Sequence, residues 1–128
     1  MPGTIIYVID DDRDLLSSIS LFLRKKSFDF STFLKWDAAF EAMKKLRPQC
    51  ILLDVFLEGI DGMDGFNVCQ KLKSSPYTKK IPVLIFSGFP KVKESAIRDY
   101  GANDFIEKPF EFNQLLKKIY GALVPSGI

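Results

Sequence analysis

The chain has 128 residues, the usual size of one compact domain, and its 47% hydrophobic and 27% charged content is that of a globule with a single core, so a two-domain reading and a disordered tail are both excluded. Eighteen Lys and Arg against sixteen Asp and Glu leave a net charge of +2, too little for an electrostatic grip on a nucleic-acid backbone. Histidine is absent, which removes serine-histidine triads, HExxH zinc sites and Cys/His fingers together.

Strand and helix patterns alternate along the chain. The first predicted strand is Thr4 to Asp10, and its apolar core, Ile5 to Ile9, is too short for a membrane span and lacks the Lys or Arg that would precede it in a signal peptide. Asp12 is placed to cap the helix that follows, where Leu15, Leu16, Ile19, Phe22 and Leu23 form one apolar stripe. Phe28 to Phe33 alternates, which predicts an edge strand with one wet face. Trp36, Ala39, Phe40, Met43 and Leu46 make the second helical stripe, and core packing is expected of both aromatic rings rather than ligand stacking. Cys50 to Asp54 is the third strand. Its cysteine and Cys69 are too widely spaced for a CxxC motif, and both are read as buried thiols in a reducing cytoplasm.

Val68 and Leu72 mark the third helix, and Ser74 to Lys80 reads as a polar loop. Pro82 to Ser87 is the fourth strand, and Pro90 suits the first turn of a fourth helix carrying Val92, Ala96 and Tyr100. Asn103 to Glu107 is the fifth strand. Phe112, Leu115, Leu116, Ile119 and Leu123 form the last stripe, which ends near Val124-Pro125. A stand-alone domain and a piece of a longer chain both stay open.

Five strands separated by crossover helices predict an α/β fold with one parallel sheet covered on both faces. In such sheets ligands bind beyond the carboxyl ends of the strands. Asp10, Asp11 and Asp12 end the first strand here, Asp54 the third and Ser87-Gly88 the fourth, while the fifth runs into Lys108-Pro109. Crowded carboxylates repel unless a cation sits among them, and Mg²⁺ suits this set better than Ca²⁺, because no DxDxDG loop ending in Glu is present. With that charge neutralised, one carboxylate can attack an activated phosphoryl group while a lysine and a hydroxyl hold the transferred oxygens.

Val8-Ile9-Asp10-Asp11-Asp12, Ile51-Leu52-Leu53-Asp54, Val83-Leu84-Ile85-Phe86-Ser87-Gly88 and Asp104-Phe105-Ile106-Glu107-Lys108-Pro109-Phe110 resemble the signature blocks of response regulator receiver domains of two-component systems, the chemotaxis-regulator-like kind included. The resemblance covers essentially residues 1–128 as a single receiver domain. It implies a doubly wound, flavodoxin-like (βα)5 fold and a cytoplasmic, Mg²⁺-dependent phosphorylation switch that is not itself an enzyme. The phosphoryl donor would be a phosphohistidine on a sensor histidine kinase or a phosphotransfer protein. The output would go to a downstream protein, with no direct contact to nucleic acid or membrane.

By position, the resemblance makes Asp54 the phosphoacceptor, Asp11 a direct metal ligand, Asp10 a helper through water, and the Phe56 backbone carbonyl a further ligand. Ser87 would bond the phosphoryl oxygens, Lys108 would pair with them, and Ser87 with Phe105 would form the switch. Phe56 and Phe89, two residues past the phosphoacceptor and the hydroxyl, would flank the path of the hydrolytic water and set the lifetime of the phosphorylated state.

The sequence departs from that pattern between Glu58 and Gly65. Glu58 stands where the family usually has proline, and Met63-Asp64-Gly65-Phe66 resembles the block that opens the third helix, as though three residues had been inserted. Phe105 also lacks the phenolic hydroxyl of the Tyr often found there. Two other readings are a phosphorylation-independent scaffold and a flavodoxin-like flavin protein. The intact set of Asp10, Asp11, Asp54, Ser87 and Lys108 disfavours the first, and acidic residues where a flavin phosphate would sit disfavour the second.

Overall fold

In the computed structural model, which describes residues 4–54 and 65–123, the elements run β1 (Ile5–Ile9), α1 (Arg13–Lys25), β2 (Asp29–Phe33), α2 (Trp36–Met43), β3 (Cys50–Asp54), α3 (Gly65–Ser74), β4 (Val83–Ser87), α4 (Lys93–Arg98), β5 (Asp104–Glu107) and α5 (Phe112–Leu123). All strand pairs are parallel, in the order β2-β1-β3-β4-β5. The chain turns back across the sheet between β1 and β3, and this is the switch point beyond which an open α/β sheet binds its ligand.

Alternation along the strands divides the core into two layers. Val8, Leu52 and Leu84 lie in register and point to one face with Ile6, Phe86 and Ile106, where α1 and α5 cover them with Leu16, Ile19, Leu23, Leu115 and Ile119. Ile9, Leu53, Ile85 and Phe105 line the other face, under Ala39 and Met43 of α2, Val68, Cys69 and Leu72 of α3, and Ala96 of α4. β3 and β4 are buried along their whole length, which is why both are apolar without alternation up to their last residues, Asp54 and Ser87. Full burial of each such side chain contributes roughly 1.5 to 3 kcal/mol.

Four local expectations change. β2 is an edge strand, but it has no single wet face: Phe30 packs with the α1–α5 layer and Phe33 with the other, leaving Asp29 and Thr32 exposed on opposite sides. At the sheet margin each flanking helix covers only part of its side. Leu46 falls outside α2 and is 54% exposed, because the backbone leaves the helix and the Leu46 carbonyl accepts a hydrogen bond from the buried Tyr7 hydroxyl. Pro90 opens a 3-10 turn, Pro90–Val92, ahead of α4. Tyr100 lies beyond the end of α4, with its ring 4.7 Å from that of Phe66.

Cys50 and Cys69 are buried free thiols, as the sequence predicts. Burial pushes Cys50 up to about 12 and Cys69 up to about 11, so neither is a thiolate at neutral pH. Among the described residues no helix is long and apolar enough to cross a membrane.

Candidate functional site

The C-terminal edge of the sheet gathers the polar residues that the apolar strands exclude. By the two-residue period, Asp10 continues the face of Val8, Asp54 that of Leu52, and Lys108 that of Ile106, so all three project on the α1–α5 side. Asp10 and Asp54 are buried, 0% and 7% exposed, while Asp11 is exposed. Carboxylate oxygens from Asp10, Asp11 and Asp54 lie within 4.8 Å of one another. At that separation two unit charges repel by roughly 3 kcal/mol at an effective dielectric constant of about 20.

Lys108 enters this cluster from the other end of the chain. Its Nζ lies 2.8 Å from Asp10 Oδ2 and 3.7 Å from Asp54 Oδ2. The peptide bond that follows, to Pro109, is cis. One ammonium against three carboxylates leaves a formal charge of −2, which a divalent cation would neutralise. Among the described residues the donor set consists of carboxylate oxygens, the chemistry that suits a hard cation such as Mg²⁺.

The neighbouring aspartate does different work. The Asp12 carboxylate accepts from the backbone N–H groups of Asp14 and Leu15 at 3.0 and 3.1 Å, and so caps α1 as the sequence predicts. Its own N–H donates to Asp10 Oδ1 at 2.9 Å. That bond fixes the buried carboxylate against the start of the helix. The cap and the cluster therefore share one turn of backbone.

Ser87 and Phe105 belong to the opposite face. Ser87 is 1% exposed, and its hydroxyl oxygen accepts from the Phe89 N–H at 3.1 Å. Phe105 is buried in the α2–α3–α4 layer beside Ile85. Both thus stand between the cluster and α4. Phe89, by contrast, is 59% exposed. Phe56, and most of the loop from Glu58 to Gly65, lie outside the described residues.

The structure adds one residue that the sequence did not single out. Phe86 neighbours Asp54 in the β3–β4 register, and Lys108 Nζ lies over its ring, 4.6 Å from the centroid. The alternation of β4 contained a signal for it, since residue 86 shares the face on which Asp54 and Lys108 meet.

Comparisons with known proteins bear on the family and the fold. The family model described as "Response regulator receiver domain" matches residues 6–120. The heme response regulator HssR of Staphylococcus epidermidis is 31% identical over 118 residues, covering 91% of this chain and 50% of its own length. The DNA-binding dual master transcriptional regulator RpaA of Synechocystis sp. is 29% identical over 119 residues, covering 92% and 48%. The chain thus spans about half the length of these curated relatives. Among solved structures, the receiver domain of NtrX from Brucella abortus superposes with a TM-score of 0.83 at 30% identity, covering 92% of this chain and 97% of that one. With most of its length matched by the family model and its fold matched by a receiver domain, the chain belongs to the response regulator receiver domain family.

Proposed function

We propose that residues 1–128 act as a single cytoplasmic phosphoacceptor module whose output is a change of shape rather than turnover. Asp54 takes a phosphoryl group from a phosphohistidine of a sensor histidine kinase or a phosphotransfer protein. The observation that carries this reading is the meeting of Asp10, Asp11, Asp54 and Lys108 in one cluster at the switch point of the sheet. Asp11 and Asp54 would hold Mg²⁺ directly and Asp10 would assist through water, with the Phe56 carbonyl as a further ligand. Bound there, the ion supplies charge neutralisation and a Lewis-acid contact to the phosphoryl oxygens.

In the transfer itself an Asp54 carboxylate oxygen attacks phosphorus and the phosphorus–nitrogen bond breaks. The leaving imidazole keeps the bonding pair. Lys108 moves its charge from Asp10 toward the transferred oxygens, and the Ser87 hydroxyl donates to another of them. Ser87, whose oxygen accepts from the Phe89 N–H, is then drawn toward the phosphoryl group, and the change passes to Phe105, which packs in the same layer as α4. A downstream protein reads the face made by α4, β5 and α5. The small net charge argues against direct binding of nucleic acid by this chain.

Beryllofluoride with Mg²⁺ mimics the phosphorylated carboxylate, and backbone amide shifts can follow its effect. Changes are expected at Asp54, Ser87 and Phe105 and along α4 and α5. Shifts confined to Asp54 and its immediate neighbours would contradict the switch.

The lifetime of the phosphorylated state follows from Phe56 and Phe89. Apolar rings beside the phosphoryl group cannot orient an attacking water, whereas polar side chains can. Phe56→Asn with Phe89→Glu is expected to speed dephosphorylation by about tenfold or more, equivalent to ~1.4 kcal/mol in the barrier. Equal decay rates in wild type and double variant would show that these rings do not control hydrolysis.

A further inference from the structure

Among the described residues, the Lys108 ammonium is held by three groups: Asp10 at 2.8 Å, Asp54 at 3.7 Å, and the ring of Phe86, whose centroid lies 4.6 Å from Nζ. The first two are charged and belong to the acidic cluster. The third is neutral, only 2% exposed, and fixed in place. Phe110 stands edge-on to Phe86 with centroids 6.4 Å apart, Phe112 stands edge-on to Phe110 at 6.1 Å, and Phe112 stacks on Phe22 of α1 at 4.8 Å. Four rings thus run from beneath the ammonium to the seam between α1 and α5, and Phe86 is braced against moving away.

The two kinds of neighbour respond differently when a cation joins the carboxylates. A cation shared by Asp10, Asp11 and Asp54 weakens the hold of Asp10 on Lys108, because the same carboxylate charge then serves two cations. The ring quadrupole of Phe86 is unaffected by that competition. We propose that Phe86 is a positioning residue for Lys108: it keeps the ammonium over the edge of β4 beside Asp54 once Asp10 is engaged, so that Lys108 meets the transferred oxygens without a search. The proposal rests on the phosphoacceptor reading, and its ring contact can be tested without any phosphorylation.

The metal-free wild-type protein provides the first measurement. With ¹³C-labelled lysine, the ε-methylene resonance of Lys108, identified by its disappearance in Lys108→Arg, is expected to lie upfield of the solvated lysine ε-methylenes, because a ring face shields what lies over it. Lys71, over the Trp36 and Phe40 rings, shifts the same way and is told apart by that variant. A Lys108 resonance among those of the solvated lysines would overturn the contact. The second measurement is a double-mutant cycle on the rate of labelling by acetyl phosphate with Mg²⁺. Phe86→Leu is expected to slow labelling about fivefold in the wild-type background, the effect of losing a contact worth about 1 kcal/mol, and to have no effect beside Lys108→Met. The same slowing in both backgrounds would assign Phe86 to core packing alone and overturn the positioning role. If no variant is labelled while the upfield resonance is present, the phosphoacceptor reading fails and the ring contact stands.

Discussion

Asp11→Ala should abolish Mg²⁺ binding in titration calorimetry, while Asp12→Ala should leave the affinity within a few-fold of wild type. The two residues are adjacent and chemically identical, so composition cannot separate them. Geometry does. Asp11 presents an exposed carboxylate within 4.8 Å of those of Asp10 and Asp54. The Asp12 carboxylate is already committed to the N–H groups of Asp14 and Leu15 at the start of α1. Loss of Asp11 removes one of three charges from the cluster and an oxygen that a small, hard cation would ligate directly. Loss of Asp12 removes a helix cap, expected to cost about 1 kcal/mol of unfolding free energy in urea. Equal loss of metal affinity in the two variants would place the binding carboxylates one residue out of register.

Much of this arrangement is legible in the sequence because burial on both faces leaves a strong trace. Ile51-Leu52-Leu53 and Val83-Leu84-Ile85-Phe86 contain no polar residue, and both lie in fully buried strands. Where such a run breaks off into Asp54 or Ser87, the chain has reached the carboxyl edge of the sheet, so the polar residues of the cluster mark their own location. The cap at Asp12 is legible for a similar reason, since an acidic residue ahead of an amphipathic run has a specific task at orphan N–H groups.

Other features depend on tertiary geometry that periodicity does not encode. A lysine side chain has four flexible carbons, so the sequence places Lys108 at the edge of β5 without revealing that it crosses Phe86 on its way to Asp10. The half-covered faces of β2 reflect how far α1 and α2 reach at the margin of the sheet. Leu46 continues a helical spacing, yet its carbonyl is drawn to the Tyr7 hydroxyl, a contact across 39 residues. Among the described residues α3 runs from Gly65 to Ser74, and Glu58 to Asp64 of the atypical loop lie outside them.

The central claim is that Asp54 accepts the phosphoryl group, and the decisive comparison is intact-mass spectrometry after incubation with acetyl phosphate. On the proposed reading the cluster itself supplies the transfer chemistry, so the donor needs only an activated phosphoryl group. Asp54 ends β3 with its carboxylate 3.7 Å from Lys108 Nζ and within the cluster that would bind the metal. Asp10 is more deeply buried and is held at 2.8 Å by the same lysine. With Mg²⁺, wild type should gain the mass of one phosphoryl group, and the adduct should be absent both in EDTA and in Asp54→Asn. An adduct that persists in Asp54→Asn, or forms equally well without the metal, would contradict the assignment.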